Sequence, residues 1–195
     1  MNFLGHLYFS NNDIELMQAN LFGDFVKGKD YTHLPLKIQE GVTLHRKIDN
    51  YIDNHPAVLD LIRLLYKPMP KVAGIAVDLF FDHLLAKNWN QFHHQEIDEF
   101  IYQFYNSINT STLHYSEHFQ FMLVKMQEDN WLLSYKNLNG LNLSCQGVSS
   151  RISFENNLKN GVQVFQKYEL EIEKSFFEYM NDAILFFSKD KYLKP

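Results

Sequence analysis

The chain has 195 residues, 46% apolar and 21% charged, with 17 Phe and 11 Tyr, so it is long enough to bury a sizeable aromatic core. A net charge of −5 argues against a nucleic-acid binder, which needs a cationic surface for phosphates, and the lone Cys145 offers no disulfide framework, as expected in a reducing cytoplasm. No run of about 18 apolar residues suits a membrane span, and the opening MNFLGHLYFS is too short and lacks the basic start of a secretion signal.

Gly and Pro number only 8 and 5, which favours long helices over tight turns, and apolar residues recur at helical spacing almost throughout. The first predicted helix covers 13–27, begun by Asn12 or Asp13 and ended near Gly28. The next covers 35–55, with Pro35 in the first turn, where a missing N–H costs nothing. Pro56 restarts the chain, with Ala57, Leu61, Leu64 and Leu65 facing inward. A strongly apolar helix is predicted over 71–90, followed by helices at 95–108 and 115–128. NLNGLNLS, 137–144, reads as a soft connection too short to separate domains. A last helix over 157–187 sets Leu158, Val162, Phe165, Ile172, Phe176, Met180 and Ile184 at helical spacing. No segment alternates with period two, so one all-α domain, a helical bundle over 1–195, is expected.

Candidate chemistry collects in the first half. LHRKIDNYIDNHP places His45, Asp49 and Asp53 four residues apart, about 40° around a helix, so neighbours converge on one space. Asp78 and Asp82 repeat that spacing in VDLFFDHLLAKNW, on an otherwise apolar helix. An unpartnered buried carboxylate costs several kcal/mol, on the order of 3–5, so two on one buried face call for cations or protons. His83 lies about 100° from Asp82, so either it reaches round to a shared ion or one of the two orients a ligand from behind. Asp24 in LFGDFVKGK and His6 in NFLGHLYF sit among core-type residues. The bland alternatives are a hydrogen-bonded core His6, and a solvated Asp49–Asp53 face paired with Arg46 or Lys47. Oxygen and imidazole donors together suit Mn, Fe, Zn or Mg, with imidazole weighing against Mg. His114 and His118, four apart, lack a carboxylate on an apolar face and read as structural.

MNFLGHLYFS, LFGDFVKG (21–28), GVTLHRKIDNYIDNHP (41–56) and VDLFFDHLLAKNW (77–89), with weaker matches at NWLLSY (130–135) and GVSSRIS (147–153), resemble the acyl carrier protein phosphodiesterase family. These hydrolases remove the 4'-phosphopantetheine arm from holo-acyl carrier protein, a step in lipid metabolism. The resemblance implies an all-α, distantly HD-type phosphohydrolase fold and a divalent cation, often manganese. HD enzymes are named for a His-Asp dipeptide, whereas this chain has Asp82-His83 in reverse order. Asp24, His45, Asp49, Asp78, Asp82 and His83 stand on the family's motif positions. The ligand set is then Asp24, His45, Asp78 and one of Asp82 or His83, with His6 a further candidate from its core-type surroundings. Asp49 ligates or accepts a proton from the attacking water, and Arg46 either braces the phosphate or lies on the plain surface. The carrier protein is acidic, so Lys27, Lys47 and Lys71 are candidates for docking it, and Arg151, with Trp131 and Tyr135, for the pantetheine path. Two other readings remain: a hydrolase of nucleotides or small phosphoesters using the same metal site, and a non-catalytic helical binding module.

Overall fold

Residues 1–109 and 113–189 are described by a computed structural model, and among them every regular element is helical. The apolar start forms a short helix α1 (Phe3–Tyr8) that buries Leu4, Gly5, His6 and Leu7. The first amides of any helix lack partners within it. Here Asp82 supplies them, accepting from the backbone N–H of Asn2 at 3.2 Å, Leu4 at 2.7 Å and Gly5 at 3.1 Å. Burial pushes the Asp82 carboxyl up to about 7, against the pull of those amides.

Helix α2 (Ile14–Phe22) begins as expected at Asp13, whose side chain accepts from Leu16 N. It stops earlier than predicted, in a 3-10 turn (Gly23–Phe25), because Val26 is extended and Gly28 takes a left-handed φ of 81°. Helix α3 (Leu36–Asn54) packs closely on α2: a Cβ on Gly41 would lie 2.4 Å from the carbonyl carbon of Ala19. Pro35 caps α3 rather than lying in its first turn. Pro56 opens α4 (Pro56–Leu65), which buries Val58, Leu61 and Leu65. Leu64, expected inside, is 42% exposed, since it falls well off the Val58–Leu61–Leu65 stripe.

Helix α5 (Ala73–Lys87) runs through the core with Phe80, Phe81, Leu84 and Leu85 at 0% exposure. α6 (Ile97–Asn106) and α7 (Glu117–Glu128) match the predicted helices within two residues at each end. The soft connection at 137–144 is instead the start of α9 (Leu138–Arg151), after a single-turn α8 (Trp131–Ser134). Its loop-like composition has local causes. The Asn137 side chain accepts from Gly140 N at 3.0 Å, a helix cap, and a Cβ on Gly140 would lie 2.0 Å from Ser134 O. The predicted last helix divides at Tyr168 into α10 (Gly161–Lys167) and α11 (Glu169–Phe187). The apolar phase survives the break, with Leu158, Phe165, Ile172, Phe176 and Met180 all buried. No described helix is long and apolar enough to cross a membrane.

Candidate metal centre

Four stretches of chain converge on one polar cavity of about 320 Å³, lined by His6 from α1, Asp24 from the 3-10 turn, Asp49 and Asp53 from α3, and Asp78 from α5. The α2–α3 contact through Gly41 sets α3 against the Asp24 turn. His45 and Asp49, one turn apart, then face the same side. His45 Nε2 lies 3.3 Å from Asp24 Oδ1 and 3.1 Å from Asp49 Oδ2, while His6 Nε2 lies 3.3 Å from Asp49 Oδ1. The two imidazoles stack with centroids 4.2 Å apart and planes at 17°. His6, His45 and Asp49 thus offer three ligand atoms, all within 4.8 Å of one another.

The hydrogen bonds around His6 fix its tautomer. Asn20, fully buried, donates from Nδ2 to His6 O and to Ser10 Oγ, both at 2.9 Å, which leaves its Oδ1 facing His6 Nδ1 at 3.0 Å. An amide oxygen only accepts, so Nδ1 carries the proton. Burial depresses the His6 pKa more than Asp49 raises it, which holds the ring neutral. Its Nε2 lone pair therefore points at a carboxylate oxygen, an arrangement that fits a cation shared between them.

His45 behaves in the opposite way. Burial pulls its pKa down, but Asp24 and Asp49 outweigh burial and lift it to about 9. Burial works to raise Asp49 and Asp24 in turn, yet their imidazole contacts hold both below the usual carboxylate range. One carboxylate and two imidazoles, His6, His45 and Asp49, form a donor set suited to manganese, iron or zinc, and an ion held there would displace the His45 Nε2 proton, so the residues present fit a divalent ion. Gly23 matters because a Cβ there would meet the His45 ring at 2.3 Å. The imidazole rests on the backbone of the turn that carries Asp24.

The remaining sequence candidates divide. Asp78 lines the cavity, 39% exposed at its side chain, and pairs with the Met1 α-amino group at 2.8 Å. Asp82 is committed to the α1 amides, so its oxygens are turned to backbone rather than to the His6–His45 pair. His83 sits outside the cavity: its Nδ1 meets Tyr135 O at 2.6 Å and its ring edge packs on Phe165. Arg46 donates to the carbonyls of Val26 (3.1 Å) and Gly28 (2.6 Å) and lies over the Tyr31 ring, so it braces the loop after Asp24 instead of presenting an open fork. Lys27 and Lys47 are exposed near that loop and on α3. Lys71 lies elsewhere, its ammonium 5.6 Å over the Phe154 ring. Arg151 is exposed at the end of α9, its Nε donating to Gly147 O. Sequence reasoning passed over Asn20, whose signal was a polar residue on the apolar stretch LMQANLF; Asp53, which the spacing left between a shared site with His45 and Asp49 and a solvated face, lines the cavity.

The family model for acyl carrier protein phosphodiesterase matches residues 1–183. An acyl carrier protein phosphodiesterase of Photorhabdus laumondii is 26% identical over 180 residues, 92% of this chain and 91% of the relative. Those of Salmonella agona and Salmonella newport are 37% identical over 91 residues, 47% of this chain and 47% of each relative. No solved structure matches the chain. The cavity of helix-borne acids and imidazoles thus belongs to a phosphodiesterase. The chain is a member of the acyl carrier protein phosphodiesterase family.

Proposed function

We propose that the protein hydrolyses the phosphodiester joining 4'-phosphopantetheine to a serine of holo-acyl carrier protein, and that it uses one divalent cation, manganese foremost, held by His6, His45 and Asp49 with Asp24 beside them. The observation that carries the reading is the convergence of His6, His45 and Asp49, whose ligand atoms all lie within 4.8 Å of one another, in a member of a phosphodiesterase family. When bound, such an ion lowers the pKa of a water and offsets phosphoryl charge, as attack on an anion requires.

The chain's own groups do the rest. Asn20 keeps the His6 proton on Nδ1, and so keeps Nε2 free to ligate. Asp49 spans both imidazoles. Asp24 is the more exposed of the two carboxylates on His45, at 60% against 43%, and is held ionised, so it is placed to take the proton of the attacking water. Water adds its oxygen to phosphorus, the bond to the serine oxygen breaks, and that oxygen takes a proton from solvent to leave as the hydroxyl of apo-carrier protein, while Asp24 returns its own proton to solvent. Within an HD-type reading, the reversed pair Asp82-His83 serves structure: Asp82 caps α1 and so holds His6 in place.

Intact-protein mass spectrometry of holo-carrier protein incubated with the enzyme and Mn²⁺ tests this. Loss of the arm's mass, stopped by a chelator, is expected. Turnover of free nucleotides or small phosphoesters with none of the carrier protein would favour the small-substrate alternative and contradict the proposal.

A further inference from the structure

A second cavity, of about 520 Å³, lies beside the first between the start of α1, α8 and α9. It borders the catalytic cavity, sharing Asn2 and Val148 with it, and its volume is within the range of about 300–1,000 Å³ typical of small-molecule sites. One wall is the stacked pair Phe3 and Trp131, centroids 6.3 Å apart at 29°. The opposite wall is the α9 face bearing Leu143, Ser144 and Gly147. Arg151 stands at the rim, its Nε tied to Gly147 O at 3.2 Å, which steers the guanidinium along the end of α9. A Cβ added at Gly147 would meet no atom within 4 Å, so the space over this residue is open.

We propose that this cleft is the subsite for the pantetheine arm, with Trp131 and Phe3 as its apolar wall and Ser144, Asn2 and Arg151 as its polar contacts. The inference rests on the arm-removing reading above. A phosphodiester centred on the His6–Asp49 cavity carries two substituents: a serine on a folded protein, which stays outside, and a thin flexible chain with two amides, a pair of methyl groups and a terminal thiol. Only the second can enter a cleft of this size. Its alternation of methyls and amides matches a lining that is aromatic on one side and bears hydroxyl, amide and guanidinium groups on the other.

The chain carries its own reporter, because it has only two tryptophans: Trp89 is 2% exposed in the core, and Trp131 lines the cleft. Pantetheine, lacking both phosphate and carrier, is expected to quench Trp131 emission saturably in the wild type. The Trp131→Phe variant, which keeps only Trp89, should lose that response. Gly147→Phe fills the open space while leaving the backbone contact to Arg151, so its melting temperature should hold or rise. Its KM for holo-carrier protein should increase at least tenfold, with kcat within about twofold, and pantetheine quenching should vanish. Leu143→Phe, at a site 57% exposed and adding no tryptophan, should act the same way should the glycine variant misfold. An unchanged KM in these folded variants overturns the subsite and leaves the proposed reaction standing. A raised KM with no wild-type quenching means that α9 meets the carrier's protein surface, which also overturns it. A wild type that removes no arm sinks the reaction and the subsite together.

Discussion

His6 and His45 meet the same carboxylate in different protonation states, and the difference comes from what stands behind each ring. Asn20 closes off His6 Nδ1 with an acceptor, while the described residues give His45 Nδ1 no hydrogen-bond partner and set two carboxylates at its Nε2. In metal-free protein the pKa shifts have a definite sign. His45 is raised from 6.5 to about 9, so its stabilisation is complete below 6.5 and is lost as pH rises towards 9. Asp24 and Asp49 are lowered from 3.8, so theirs is present above that value and is lost as pH falls. The unfolding free energy of chelator-treated protein from urea titration should therefore be higher at about pH 6 than at about pH 9, by on the order of 1–2 kcal/mol after screening of the exposed carboxylates, with a correspondingly higher midpoint. Equal midpoints would contradict the His45 ion pairs. Gly23→Ala would drive a methyl into the His45 ring, so arm removal should fall at least about tenfold while far-ultraviolet circular dichroism stays helical. Wild-type kcat/KM in that variant would show that the ring's seat is unimportant.

Helices with strong periodicity were legible in the sequence; those set by tertiary contacts were not. α2, α3 and α4 follow from punctuation by Asp13, Pro35 and Pro56, and α5 and α6 from spacing alone. α9 was hidden because Asn137 and Gly140 look like loop residues, although one is a cap and the other a point of contact with Ser134. The break at Tyr168 was hidden because the buried stripe keeps its phase across it. α1 owes its start to Asp82, a residue far away in the chain, so no local signal could have shown it. That dependence is testable. Asp82→Ala leaves buried α1 amides without an acceptor, so it should cost at least about 2 kcal/mol in chemical denaturation. A change under about 0.5 kcal/mol would mean that α1 holds its place without the cap.

Across the whole molecule, the site is assembled from α1, the turn after α2, α3 and α5, each contributing an acidic or imidazole side chain to one cavity. The i, i+4 pair His45–Asp49 was readable from the sequence because helix geometry alone brings the two together. The sorting of Asp78, Asp82 and His83 was not, since it depends on which neighbour each meets across the core: the Met1 amine, the α1 amides or the Tyr135 carbonyl. The central claim is that His6, His45 and Asp49 jointly bind a divalent cation. Electron paramagnetic resonance of Mn²⁺ titrated with the protein measures this directly, through loss of the free-ion signal. The account predicts one bound Mn²⁺ per chain in the wild type, with affinity at least tenfold weaker in the near-isosteric Asp49→Asn. No loss of free Mn²⁺ signal, or equal affinity in the variant, would contradict it.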